Sequence, residues 1–406
     1  MDRKLLEKYA ELAVRVGVNI QKGQRLLLRT SVDAVEFSRL IAEKAYEAGA
    51  KEVYVRYSDE YITFLKLKNA PEEIIEEVHS WEVEAAKFFC DEKGAFLSVI
   101  SSDPDLFKEI PPEIIGKFSK ANQMAMKEVS KEIMSGKVSW SVVAVPNEKW
   151  AKKVFPESTN PVEDLWNAIL KTIRVNENDD PVELWNKHIE NLNKRTEFLN
   201  KRQYEYLRYK GPGTDLMVGM PENHIWVAGT QKNVDGTVFL PNIPTEEVFS
   251  APHKDKINGY VRNSKPLVYG GNIIDGFTME FKDGKIVKVT AEKGEDVLKQ
   301  AISLDEGASY LGEVALVPVD SPIYQLNTIF YNTLFDENAA SHFAFGKAYP
   351  ICIKDGTKMS EEELKEHGLN TSITHVDFMI GNEELDVYGI KDGKEELIMK
   401  NGKWAI

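Results

Sequence analysis

Cysteine is almost missing from this chain of 406 residues: Cys90 and Cys352 are the whole complement. Two thiols so far apart in sequence exclude a disulfide framework and a structural zinc ribbon, and they point to a reducing, cytoplasmic setting. Long apolar runs are missing as well. No stretch approaches the roughly 20 residues of a membrane span, and residues 1–18 alternate charged and apolar positions like an amphipathic helix, without the unbroken apolar core of a signal peptide. Positive charge is in deficit, with 51 Lys and Arg against 65 Asp and Glu and a formal net charge of −14. Such a field repels polyanions, so neither nucleic acid nor an anionic membrane is an expected partner. Clusters such as Lys152-Lys153 sit among acidic neighbours and read as a solvated helix face. The common catalytic signatures are absent too: there is no Walker loop, no His-Glu-x-x-His and no Gly-x-Ser-x-Gly elbow. Glycines 211, 213 and 219 follow no βα turn, and Gly270-Gly271, between strand-like flanks, reads as a bulge or tight bend.

What is present is a composition for folding. The 42% hydrophobic content, with both charge signs spread along the chain, carries no disorder signature. The length predicts two domains, each able to bury a core. From residue 24 the pattern reads strand (Arg25 to Arg29), helix, strand (Glu52 to Arg56), which is a βαβ unit. Asp33 with Glu36 three residues later is the expected helix cap, and Gly49 the expected stop. The alternation continues with a helical pattern from about Pro71 to Phe89, a strand at Ala95 to Ser101, a helix at about Pro112 to Met134 and a strand at Val138 to Val145. An α/β domain with an open, largely parallel sheet is expected over residues 1–190. Amphipathic helices at Pro161 to Ile173 and Pro181 to about Asn200 mark a change of rhythm. Residues 191–406 then show short strands and hairpin signals: Asp283-Gly284, Asp392-Gly393 and Asn401-Gly402, pairs that accept the positive φ of type I′ turns. This half is expected to be a β-rich α+β domain. No internal repeat and no low-complexity segment interrupts either half.

Histidine and carboxylate are unevenly distributed in that second half, at four apolar, strand-like places. In Thr245-Glu246-Glu247-Val248-Phe249, adjacent extended residues point to opposite faces, so one glutamate at most looks into a site; a solvated surface pair is the plainer reading. In Leu311 to Val319, Glu313 is the one carboxylate of an apolar run, and if buried it needs a cation or a hydrogen-bond partner. An outward-facing strand position explains it equally well. In Glu337-Asn338-Ala339-Ala340-Ser341-His342, an oxygen and an imidazole donor lie a tight turn apart, with Tyr349 following a glycine. Such donors suit Zn²⁺, Co²⁺, Mn²⁺ or Fe²⁺ better than Ca²⁺, although a lone histidine is more often a hydrogen-bonded core residue. In His375-Val376-Asp377, positions i and i+2 of a strand share a face, which sets imidazole beside carboxylate. Together these segments supply four carboxylates and two imidazoles, about what two ions sharing one carboxylate need.

These segments, in this order, resemble the thermophilic metalloaminopeptidases of the aminopeptidase T and aminopeptidase S type. The resemblance extends over essentially the whole chain, by motif in the second half and more by pattern in the first. It implies that Glu247, Glu313, Glu337, His342, His375 and Asp377 are metal ligands, with Glu313 bridging, and that Tyr349 assists catalysis. It selects Glu247 over Glu246, a choice the residues alone leave open. It implies a homodimer in which the α/β domain helps cover a cavity on the β-rich catalytic domain, and two divalent ions per chain (Zn, Co, Mn or Mg). The expected reaction is release of the first residue from peptides with a free N-terminus, by a water of lowered pKa shared between the ions. Tyr349 would stabilise the developing oxyanion, and Glu246 or Glu247 would carry the proton. Two other readings remain: a mononuclear iron, ring-cleaving dioxygenase on the same scaffold with a reduced ligand set, and a non-enzymatic peptide- or metal-binding protein.

Overall fold

Three consecutive leucines, Leu26, Leu27 and Leu28, sit at the centre of the first sheet, all at most 4% exposed. A strand buried on both faces needs such an unalternating apolar run, and parallel strands covered by helices have both faces buried. The structure is a computed structural model that describes residues 1–269 and 272–406, so the bend expected at Gly270-Gly271 lies outside the described residues. β1 (Arg25–Ser31) pairs in parallel with β2 (Glu52–Ser58) and β3 (Ala95–Ile100), and β4 (Trp140–Ala144) adds to β3, in the order β2-β1-β3-β4. The crossover from β1 to β2 is the helix Val35–Glu47, which Gly49 ends at φ +98°, a value open to glycine at little cost.

Two local expectations are corrected here. Asp33 does not cap that helix. The strand runs on to Ser31, whose hydroxyl accepts the Asp33 amide at 3.2 Å and starts a 3₁₀ turn, Val32–Ala34, ahead of the helix. The helical pattern from Pro71 to Phe89 is also interrupted, into Glu72–Ile75 and Ser80–Asp91. The two pieces serve different cores. Ile75 packs with Leu67 and Ile110, whereas Ala86, Phe89 and Cys90 pack with Leu27 and Phe96, and one straight helix cannot present a face to both.

The chain forms two compact units, residues 1–188 with 230–244, and residues 189–229 with 245–406. The helix Pro181–Arg202 carries the chain from the first to the second. The second unit begins with β5 (Tyr206–Gly211), β6 (Thr214–Gly219) and the short β7 (Val227–Ala228). The return to the first unit contributes β8 (Gln231–Lys232) and β9 (Val238–Phe239), paired with each other. Then follow β10 (Val248–Ser250), β11 (Ile257–Arg262), β12 (Leu267–Tyr269), β13 (Asn272–Ile274), β14 (Thr278–Lys282), β15 (Lys285–Thr290), β16 (Leu311–Leu316), β17 (His342–Gly346) and β18 (His375–Met379). β19 (Asp386–Lys391), β20 (Lys394–Lys400) and β21 (Lys403–Trp404) close the chain.

An eight-stranded antiparallel sheet, β15-β14-β11-β6-β5-β19-β20-β21, and a five-stranded one, β18-β17-β16-β10-β7, share one hydrophobic core. The three expected hairpin turns have positive φ at both central residues: 49° and 83° at Asp283-Gly284, 51° and 71° at Asp392-Gly393, 50° and 69° at Asn401-Gly402. Among the described residues no helix is long and apolar enough to cross a membrane.

β16 has one irregularity that matters below. Leu311, Val314 and Leu316 all belong to the shared core, yet 311 and 314 differ in parity and a regular strand would aim them at opposite faces. The register with β17 slips between Leu311 and Glu313, leaving Gly312 as the extra residue of a bulge. A side chain could not stand there: a Cβ on Gly312 would lie 2.3 Å from the Gly346 carbonyl oxygen.

Candidate metal centre

With Val314 turned into the core, Glu313 faces the other way along with Ala315. It is 5% exposed, so the outward-facing alternative for this residue does not hold. β17 lies beside β16 and begins at His342, 1% exposed, opposite Ala315. β18 lies beside β17 and carries His375 opposite Gly346 and Asp377 opposite Ala344, both on one face, while Phe378 points into the core. Glu247 enters just before β10, which pairs with the other edge of β16. Four segments far apart in sequence thus converge on one face of the five-stranded sheet.

The distances define two overlapping triads. Glu247, Glu313 and His342 can bring three donor atoms within 4.8 Å of one another, and so can Glu313, His375 and Asp377. Glu313 belongs to both. Its Oε1 lies 3.4 Å from His342 Nε2 and its Oε2 lies 3.6 Å from His375 Nε2. Glu247 Oε2 is 3.3 Å from His342 Nε2, and Asp377 Oδ1 is 3.3 Å from His375 Nε2. The outer ring nitrogens are held by main chain: Nδ1–H of His342 donates to the Ala340 carbonyl at 3.1 Å and Nδ1–H of His375 to the Lys347 carbonyl at 2.7 Å. A carbonyl can only accept, so Nδ1 carries a proton in each ring, and whenever the ring is neutral Nε2 offers its lone pair to the centre, as ligating imidazoles do.

Glu337 and Tyr349 complete the neighbourhood. Glu337 belongs to neither triad; it opens the 3₁₀ turn Glu337–Ala339 and lines a cavity of about 340 Å³ that His375 and Asp377 also line. The Tyr349 ring centroid is 4.9 Å from that of His375. Glu246, the other glutamate of its pair, is 2% exposed, and its amide donates to Asn338 Oδ1 at 2.8 Å.

The electrostatics are those of crowded carboxylates. Burial, then the charges of Asp377 and Glu247, pushes Glu313 up to about 7. Glu337 is pushed well above the usual carboxylate range by burial and by Glu247 and Asp377. Burial works against charge on the histidines, but Glu247 and Glu313 outweigh it and hold His342 well up, and Asp377 holds His375 at about 9. Burial and the surrounding carboxylates raise the Tyr349 phenol, which is therefore a donor at neutral pH. These residues suit a divalent transition ion. The donors are oxygen and imidazole, the imidazoles are oriented by their second nitrogens, and Asp377 Oδ1 is buried without a hydrogen bond despite the nearby ring.

Reading the sequence alone missed Asn338. It is fully buried, accepts the Glu246 amide, and donates to the Leu334 carbonyl at 3.4 Å and to Glu337 Oε1 at 3.5 Å, so it joins the two glutamate-bearing segments. Its place between Glu337 and small residues was the available signal. Asp336 was missed as well; its oxygens accept the Phe330 amide at 2.7 Å and the Asn332 amide at 3.0 Å, which fixes the loop walling the cavity.

A protein family described as thermophilic metalloprotease (M29) matches residues 2–404. The chain belongs to the M29 family. It is 49% identical to aminopeptidase AmpS of Bacillus subtilis (strain 168), over 98% of this chain and 98% of that protein. It is 46% identical to aminopeptidase 2 of Geobacillus stearothermophilus, over 99% and 98%. The solved structure of wild-type AmpT from Thermus thermophilus, 42% identical, matches it with a TM-score of 0.93 and covers 100% of both chains. Membership in M29 makes a divalent metal part of this protein's chemistry and makes the protein a peptidase.

Proposed function

We propose that the protein removes the first residue from peptides with a free N-terminus, using two divalent ions held by Glu247, Glu313, Glu337, His342, His375 and Asp377. That it is a metal-dependent aminopeptidase follows from M29 membership over residues 2–404 and from relatives named aminopeptidases along their full length. The ring-cleaving and non-enzymatic readings find no support among those relatives. The observation that carries the two-ion reading is Glu313, whose two oxygens each approach a different Nε2 at 3.4 and 3.6 Å. A carboxylate within reach of both imidazoles could serve two ions at once, and two ions together would activate water and polarise a carbonyl.

When bound, such a pair supplies an acidified water and polarises the scissile carbonyl. The chain's own residues do the rest. His342 and His375, fixed through Nδ1, hold their lone pairs steady. Tyr349, kept protonated, donates a hydrogen bond to the oxygen that gains charge, a contribution made only in the transition state. Glu247, at the site's edge with its side chain 15% exposed, can take the proton toward the leaving amine; Glu246 is the other carboxylate offered for that task. Residues 191–406 would then be the catalytic domain and 1–190 the α/β domain. The two free cysteines are both buried, in keeping with a reducing cytoplasm. A homodimer rests on the resemblance, and sedimentation would test it.

The deciding experiment is hydrolysis of an unblocked and an N-acetylated dipeptide by metal-stripped protein, before and after adding Zn²⁺, Co²⁺, Mn²⁺ or Mg²⁺. Cleavage restored by metal and confined to the free amine is the expected result. A well-metallated protein inert to both peptides would sink the reading.

A further inference from the structure

The cavity of about 340 Å³ that opens on Glu337, His375 and Asp377 is at the small end of ligand pockets, which run from about 300 to 1,000 Å³. In a peptide's first residue the free amine and the scissile carbonyl are both attached to one Cα. The side chain on that carbon therefore has to leave the reacting centre within about two bonds of it, into whatever space the ligands border. Here that space is walled by Leu267 and Val268 on β12, Ile329 on the loop pinned by Asp336, and Met379, which shares the face of His375 and Asp377 on β18. Two charged residues also line it, but each is engaged. The Lys265 ammonium donates to Asn327 Oδ1 at 3.3 Å and stands 4.8 Å from the centre of the Tyr324 ring. Both Asp336 oxygens accept loop amides.

From this we infer that the cavity is the pocket for the side chain of the substrate's first residue, and that it selects uncharged, apolar or aromatic side chains larger than alanine. The inference rests on the aminopeptidase reading above and adds a location and a preference to it. The β12 wall and the Ile329 loop meet β18 across the cavity, so the depth available to the side chain is set by those residues and not by the ligands.

The test is a kcat/KM series on metal-loaded protein with free-amine Ala, Leu, Phe, Glu and Lys p-nitroanilides, in wild type and in the filling variants Val268→Trp and Ile329→Trp. Val268 is exposed and Ile329 half-buried, so a bulky ring at either place fills the cavity from its edge. Wild type should favour Leu and Phe over Ala by about tenfold or more, the discrimination an apolar pocket gives for added methylenes. In the variants, with metal content unchanged, the Leu:Ala and Phe:Ala ratios should fall by about tenfold. A preference of the wild type for Glu or Lys would overturn the inference, and so would ratios that both variants leave unchanged. A metal-loaded wild type inert toward every substrate would instead overturn the aminopeptidase reading, and this inference with it.

Discussion

The surface acids of the first unit and the pocket acids of the second are handled in opposite ways. In the first, acids meet lysine and arginine near the surface: Lys137 sits 2.8 Å from Glu132 and 2.9 Å from Asp91, Arg56 lies 2.6 Å from Glu82, and Lys117 pairs with Glu72 and Glu113. Solvent screens such pairs, and each adds little stability. In the second, Glu247, Glu313, Glu337 and Asp377 share one pocket, and among the described residues none of them pairs with a lysine or arginine. Only two imidazoles stand against four acids. The surface acids have their counter-charge within the chain, in the second unit as in the first; the pocket leaves that charge to be supplied from outside the chain. A buried group without a partner is costly, so the arrangement makes sense as a built demand for cations.

The sharpest way to break this contrast is at the shared carboxylate. Glu313→Gln should lower kcat/KM by on the order of 10³ and at least halve the bound metal, because both triads lose a member; elemental analysis beside kinetics would show it, and full metal occupancy would contradict it. Tyr349→Phe should lower kcat on the order of 10²-fold with metal content intact if, as proposed, the phenol acts on the transition state and not on the ions. Unchanged turnover would remove Tyr349 from the mechanism. Asn338→Ala should weaken metal binding by roughly 10–100-fold through the loosened Glu246 and Glu337 segments, as loss of supporting hydrogen bonds does, and competition with a chelating dye would measure it.

Stripping the metal should lower the thermal midpoint, because an ion at about 100 times its dissociation constant adds roughly 3 kcal/mol. The stripped protein should also become less stable as pH rises. Glu313 keeps a proton up to about 7 when folded, whereas the unfolded chain releases it near 4.5; His375 keeps its proton to about 9 against 6.5. The folded state therefore binds more protons across both windows, and stability falls with pH through them. Thermal melts of stripped protein from pH 5 to 9 would check the sign. The smallest effect belongs to the first unit, where Lys137→Met should move the midpoint by no more than about 2 °C.

How much of this could be read in the sequence depends on how local each signal is. His375 and Asp377 are two residues apart on one strand, so period two alone sets them side by side. The turns at Asp283-Gly284 and Asn401-Gly402 are equally local, because each dipeptide carries its own φ preference. The choice of Glu247 over Glu246 was not local: it depends on where His342 lies, 95 positions further on, and only the resemblance supplied it. The stretch from Pro71 to Phe89 reads as one helix because its periodicity hardly changes; what divides it is that Ile75 and Phe89 serve different cores, and contacts with Ile110 and Phe96 are invisible from inside the segment. The excursion of residues 230–244 into the first unit rests on strands of two residues, β8 and β9, too short for any period to register.

The bulge at Gly312 makes the position of Glu313 a matter of counting. One extra residue lets Leu311 and Val314 both reach the core while Glu313 faces the other way, so the gene places this candidate ligand by phase as much as by codon. Substituting Glu313 removes a chemical group. Deleting the single codon for Gly312 would remove the extra residue and still leave Leu311 and Glu313 on opposing faces, so metal content should hold with all six candidate ligands in place.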